Sequence, residues 1–217
     1  IKPDQWSINV LCSKIENKEL GKPKYQRKKK WLLVSDGKTK GKMPNVKDYI
    51  EFLLEHGNSV HSITLAKDGL KYYNIDGNNR INAIITFVKH PFLVFTDIIT
   101  DIESKLNEQS VSEEITEILI EELKIMCYND FVEFDVRKYF DKPKTNNIWV
   151  KIMTVRDTIQ DIIDELKPKL MCKNAGDRFD KDVSININLF DGYGQDELSH
   201  VFTQINRFNT NLTENEI

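Results

Sequence analysis

Cysteine is scarce in this 217-residue sequence: there are three, Cys12, Cys127 and Cys172, far apart and with no CxxC or histidine partner in the text. An odd, scattered set excludes a disulfide framework and a zinc finger, and reads as reduced thiols in a cytoplasmic, reducing compartment. Histidine is also sparse. His56, His61, His90 and His200 show neither HxxxH nor HxE spacing, which argues against zinc, and His56 beside Gly57 suits the end of a helix. Long hydrophobic runs are missing: the best, Ile81 to Phe95, is broken by Asn82, Lys89 and Pro91, well short of the ~18 apolar residues of a spanning helix, so no membrane is expected. There is no GxxxxGK[ST], no GxGxxG, no GxSxG and no Cys-His signature, so a conventional NTPase or hydrolase is not supported. Internal repeats and low-complexity tracts are absent too. No basic-then-apolar leader follows Ile1, and Asn211 to Ile217 read as a Thr-capped helix that opens as the text stops, so both ends read as trimmed.

What is present is a globular composition. Hydrophobic residues make up 40% and charged residues 30%, which suits one large soluble domain or one domain with an insertion. The net charge is −3, from 31 Lys+Arg against 34 Asp+Glu, and excludes a uniformly basic nucleic-acid coat. That mean conceals a split. Lys14 to Lys42 holds eleven basic and three acidic residues, a net of +8, so the rest of the chain carries −11.

Periodicity predicts the elements. Ile8, Leu11 and Ile15 share a helical face behind Ser7, a suitable N-cap. Pro23 and its neighbours favour a loop or edge strand presenting Tyr25 and Arg27. Asn45 caps a helix with Tyr49, Ile50, Leu53 and Leu54 inward and Gly57 behind it. Ser62 to Ala66 and Leu70 to Ile75 flank Asp68-Gly69, a hairpin signal. After Asp76-Gly77, Ile81, Ile84, Ile85 and Val88 recur at helical spacing, so strand, tight turn and helix follow within a few residues. Asp97 to Glu122 has nine acidic residues and one lysine, and reads as a linker followed by a helix with Ile115, Ile118, Leu119 and Leu123 on one face. Phe131 to Val136 and Ile148 to Met153 read as strands, Asp157 to Leu166 as a helix, Cys172 to Asp182 as a polar loop, Val183 to Phe190 as a strand and Gln195 to Phe208 as a last helix.

Three constellations carry chemistry. In Asp76-Gly77-Asn78-Asn79-Arg80, a glycine where a strand becomes a helix lets backbone N–H groups approach an anion. Arg80 can fork onto phosphate oxygens, and Asp76 can hold Mg²⁺ or a ribose hydroxyl or orient Arg80. The same residues also suit plain capping by Asp76 and Asn78, with Arg80 solvated on the surface. Tyr25-Gln26-Arg27 with Lys28, Lys29, Lys30 and Trp31 sets cations beside aromatics, as phosphate contact and base stacking need, and equally suits a solvated basic loop. Asn206 and Arg207, closing the last helix, can reach a ligand or serve as a cap.

Taken in order, Pro23, Tyr25, Gln26, Arg27 and Trp31, then Asp76-Gly77-x-x-Arg80 with Phe87, then Phe202, Ile205, Asn206, Leu212, Thr213 and Glu216 resemble the N-terminal domain of GmrSD-type restriction endonucleases, a ParB/sulfiredoxin-like domain marked by a DGQQR motif. The resemblance runs over nearly the whole chain. It implies an α+β domain, a small mixed sheet with surrounding helices, that binds and hydrolyses a nucleoside triphosphate with Mg²⁺ and controls DNA recognition or cleavage in anti-phage restriction. On that pattern Asp76 and Arg80 are catalytic, Asp76 also the metal ligand. Tyr25, Gln26, Arg27, Gly77, Asn78, Asn79 and Asn206 bind the nucleotide, and Lys28, Lys29 and Lys30 meet DNA. Residues 1–95 form the core with both nucleotide motifs, 96–130 an acidic linker and helix inserted into it, and 131–217 the remainder, with a nuclease domain or subunit as partner. Asn78 and Asn79 replace the motif's two glutamines, and no HNH pattern is present. Two other readings stand beside this one: a nucleic-acid-binding module with a non-catalytic nucleotide site, and an interaction domain whose acidic helix docks a partner.

Overall fold

The computed structural model describes residues 1–21, 45–139, 146–173 and 178–192, with positions 197, 200, 201, 203 and 204. Strand β1 (Lys2–Ser7) runs straight into helix α1 (Ile8–Glu16), because Ser7 is extended and its hydroxyl accepts the N–H of Val10. A short strand β2 (Leu20–Gly21) follows, then α2 (Val46–His56), capped by the Asn45 side chain on the Asp48 N–H and closed at Gly57. The hairpin β3 (Ile63–Asp68) and β4 (Lys71–Asp76) feeds α3 (Asn78–Lys89). Next come α4 (Pro91–Val94), α5 (Thr96–Glu108), α6 (Glu113–Ile125), α7 (Tyr128–Val132), α8 (Val136–Tyr139) and the long α9 (Asn146–Leu166). A 3-10 turn (Lys167–Leu170), α10 (Phe179–Asp182) and β5 (Ser184–Asp191) complete the order.

The described strands form one mixed sheet in the order β1-β5-β3-β4-β2. β1 with β5 and β3 with β4 are antiparallel, whereas β5 with β3 and β4 with β2 are parallel. This is the α+β class expected. Strand β1 was not anticipated: Pro3 argues against a strand, but it sits on an edge, where a missing N–H is tolerated. One hydrophobic cluster extends from Trp6 to Ile187 and joins one sheet face to the helices. At its centre Phe87 meets Phe179 at 4.7 Å, Tyr128 at 5.2 Å and Phe95 at 5.5 Å between ring centroids. Each such buried aromatic contributes ~1.5–3 kcal/mol. A second, smaller cluster lies on the other face, where Ala66 and Ile75 are covered by Tyr73, Phe190 and Val201.

Several expectations are corrected. Phe131 to Val136 is not a strand but the end of α7 and the start of α8, and Ile148 to Met153 lies inside α9. Both windows are rich in β-branched and aromatic residues. Their helical state shows only over longer spans: Ile152, Ile159, Ile163 and Leu166 are all buried on one face of α9. The stretch read as a linker before the acidic helix is itself helix α5, with Ile98, Ile99, Ile102 and Leu106 inward. The apolar face of α6 is spent in the same way: Ile115, Leu119 and Leu123 are buried in the core, which removes the reading in which that face docks a partner. Residues Phe179 to Asp182, expected within a loop, form α10. There the buried Asp180 accepts from the Arg178 guanidinium at 2.9 Å and 3.3 Å, and Arg178 also reaches Glu133 at 2.8 Å and Asn129 at 3.0 Å. Among the described residues no helix is long and apolar enough to cross a membrane.

Candidate functional site

The turn from β4 into α3 is where a single glycine decides the geometry. Gly77 has φ +98°, a conformation that disfavours any side chain, and a Cβ placed there would lie 3.0 Å and 3.2 Å from the two γ carbons of Ile63 and 3.3 Å from its Cα. The start of β3 and the start of α3 therefore touch through bare backbone. The N-cap position of helix α3 is Gly77 itself, which has no side chain to offer. Asn78 accepts from the Asn82 side chain one turn on, through its carbonyl at 2.7 Å and its amide oxygen at 3.1 Å.

Asp76 reaches its position through an irregularity in the hairpin. Leu65 pairs with Asn74, but the next residue of β3, Thr64, pairs with Asp76, leaving Ile75 as an extra residue. On strict alternation Asp76 would share the face of Asn74, opposite Leu65 and toward the main core. The bulge turns it to the other face beside Thr64, the kind of re-aiming such irregularities produce.

On that face lies an open cleft of about 520 Å³, within the range of small-ligand sites. Asp76 and Arg80 form one wall, His61, Ser62 and Thr64 the middle, and Asn188 and Phe190 the far wall, with Ile1 at the rim. Arg80 is not a solvated surface residue: its side chain is only 16% exposed. One guanidinium nitrogen donates to the Ser62 carbonyl at 2.8 Å and the other to Asp76 Oδ2 at 3.2 Å. Asp76 thus orients Arg80, one of the roles open to it.

The middle of the cleft is anchored from behind. Ser59, 1% exposed, donates to the His61 carbonyl at 2.6 Å, and its own carbonyl accepts from the Asn186 side chain of β5 at 2.6 Å. Its hydroxyl also lies 3.4 Å from that of Tyr49 on α2. Burial raises the Tyr49 phenol above its ordinary pKa, with the Ser59 bond and the Arg80 charge drawing it partly back. The loop that presents Ser62 to Arg80 is thus held by both the sheet and α2.

The expected site residues divide clearly. Asp76 and Arg80 meet in the cleft and Gly77 shapes its backbone, while Asn78 and Asn79 stand in the first turn of α3 and are not among the residues lining the cleft. Tyr25, Gln26, Arg27, Lys28, Lys29, Lys30, Trp31 and Asn206 lie outside the described residues. Sequence reasoning missed His61, Ser62, Thr64, Asn188 and Phe190 as cleft residues, because only the pairing of distant strands assembles them. Among the described residues no group of three or more His, Cys, Asp and Glu side chains is placed to hold a metal ion. One carboxylate, Asp76, with the hydroxyl of its strand neighbour Thr64 in the same cleft, offers oxygen donors of the sort Mg²⁺ takes when it arrives on phosphates. No protein-family model, no curated protein and no solved structure matches this chain.

Proposed function

We propose that the chain is a nucleoside-triphosphate-binding, hydrolysing domain of ParB/sulfiredoxin-like type that governs DNA recognition or cleavage, as in GmrSD-type restriction systems. The observation that carries this reading is the Asp76–Arg80 pair, placed on the wall of a ligand-sized cleft by a bulge and a glycine turn. Arg80 is held by Ser62 at one nitrogen, so its fork is oriented before a ligand arrives. A phosphate oxygen competes with the Asp76 carboxylate for the other nitrogen through a charge-assisted hydrogen bond, replacing a single bond of 3.2 Å. Asp76, so freed, would hold Mg²⁺, which would supply neutralisation of phosphate charge. DNA approaches through Lys28, Lys29, Lys30 and the rest of the segment with net charge +8, because the acidic remainder repels it.

A second reading, a nucleic-acid-binding module whose nucleotide site does not turn over, is favoured by one feature. Polar groups of the motif serve the fold: Asn82 engages the Asn78 amide oxygen, and the Ser62 carbonyl engages Arg80. Calorimetry with each NTP and Mg²⁺, followed by phosphate release with and without DNA, tests both. Binding with release is expected, and Asp76→Asn, which keeps an oxygen for Arg80, is expected to remove the Mg²⁺-dependent part. Binding without release selects the second reading, and no binding of any NTP refutes both.

A further inference from the structure

Resting on the nucleotide reading above, we infer that Asn188 and Phe190 of β5 form the nucleoside end of the cleft, so that the ligand is gripped by its base as well as by its phosphates. The sheet register carries this. Asn188 pairs with Thr64, and Thr64 pairs with Asp76, so amide, hydroxyl and carboxylate stand in one row across three adjacent strands on the same face. Strands lie about 4.8 Å apart, which sets Asn188 and Asp76 about 10 Å from each other. Phe190 is the next residue of β5 on that face, about 7 Å further along the strand. It packs on Ala66 and Ile75 and is one of the residues that line the cleft.

The two ends of the cleft therefore differ in chemistry. The Asp76 and Arg80 wall offers charge, which suits phosphate and a cation. At the β5 wall stands an amide with both donor and acceptor, the pattern that reads a base edge, beside an aromatic ring of the kind on which bases stack. A site for inorganic phosphate or polyphosphate alone has no use for the second wall. Thr64, between Asn188 and Asp76 in the row, offers the hydroxyl that a sugar would meet. The fold pins this wall to the charged one, since Asn186 on the same strand holds the Ser59 carbonyl of the loop that orients Arg80.

The test compares two probes on the full chain with Mg²⁺: the four common NTPs, and inorganic tripolyphosphate, which carries the phosphates without the nucleoside. In the unaltered protein the best NTP is expected to bind at least tenfold more tightly than tripolyphosphate. Asn188→Ala and Phe190→Leu are each expected to weaken that NTP about tenfold, in line with the loss of one base contact, while leaving tripolyphosphate within twofold. Phe190→Leu keeps apolar cover over Ala66 and Ile75, and circular dichroism checks both variants; where Asn188→Ala fails to fold, Phe190→Leu alone decides. Equal weakening of both probes, or tripolyphosphate bound as tightly as every NTP, overturns the inference while leaving the phosphate end in place. Failure of both probes to bind the unaltered protein overturns the nucleotide reading itself.

Discussion

Replacing Gly77 by alanine tests the geometry of the site without touching a charged group. Two terms add. A side chain at φ +98° costs roughly 1–2 kcal/mol of backbone strain, as for an L-residue forced into left-handed space. The new methyl then meets Ile63, whose Cγ1 would be 3.0 Å and Cα 3.3 Å away, and because Cα belongs to β3 the overlap cannot be relieved by a rotamer change. Overpacking of this kind costs about 1–3 kcal/mol. The sum is roughly 2–5 kcal/mol, or a fall of several degrees to about 20 °C in Tm for a chain of this size. Gly69→Ala is the internal control: Gly69 also has positive φ, +59°, but nothing lies within 4 Å of its added Cβ, so only the backbone term applies, about 1–2 kcal/mol. Urea unfolding of the two variants, compared at constant slope, isolates the contact with Ile63. Equal losses at the two positions would refute the close approach of β3 to the α3 turn.

Arg178→Met leaves Asp180, 2% exposed, without its ion-pair partner and is expected to cost about 3–5 kcal/mol, whereas the double variant Arg178→Met, Asp180→Asn recovers most of it; a single-variant loss under about 1 kcal/mol refutes the role given to the pair. Stability is also expected to fall on the alkaline side. Burial, reinforced by Glu16, lifts the Cys12 thiol from 9.0 to about 11, so the unfolded chain gives up this proton first. Its contribution is complete below pH 9 and is lost as pH rises toward 11, by on the order of 2 kcal/mol. Urea midpoints at pH 8 and pH 10.5 measure this, and a slope unchanged in Cys12→Ala assigns the effect elsewhere.

Much of the fold was legible where the signals are local. Asn45 and Gly57 delimit α2, Ser7 opens α1, and Asp68-Gly69 joins β3 to β4, because caps and turns act within a few residues. The strand, turn and helix around Asp76, Gly77 and Arg80 were legible for the same reason. Short windows misled where packing outweighs propensity: Phe131 is fully buried in the five-residue helix α7, and Ile152 belongs to a face that becomes periodic only toward Leu166. The bulge at Ile75, which sends Asp76 into the cleft, has no marker in the text. Asn188 and Phe190 belong to the site only through the pairing of β5 with β3, and a strand's partner is a tertiary fact.

The position of β5 also constrains how the molecule is made. It lies between β1 and β3, pairing with both, yet follows them in the chain after every helix from α1 to α10. During synthesis β1 emerges before β3 and waits without its neighbour, and β3 waits with one edge open, until β5 inserts between them. Such non-local closure is slow and leaves strand edges exposed to aggregation. The cleft follows the same timetable, because its Asn188 and Phe190 wall arrives with β5. A nucleotide bound there as proposed would report completion of the sheet, and its presence during refolding would trap the finished topology rather than any partly formed one.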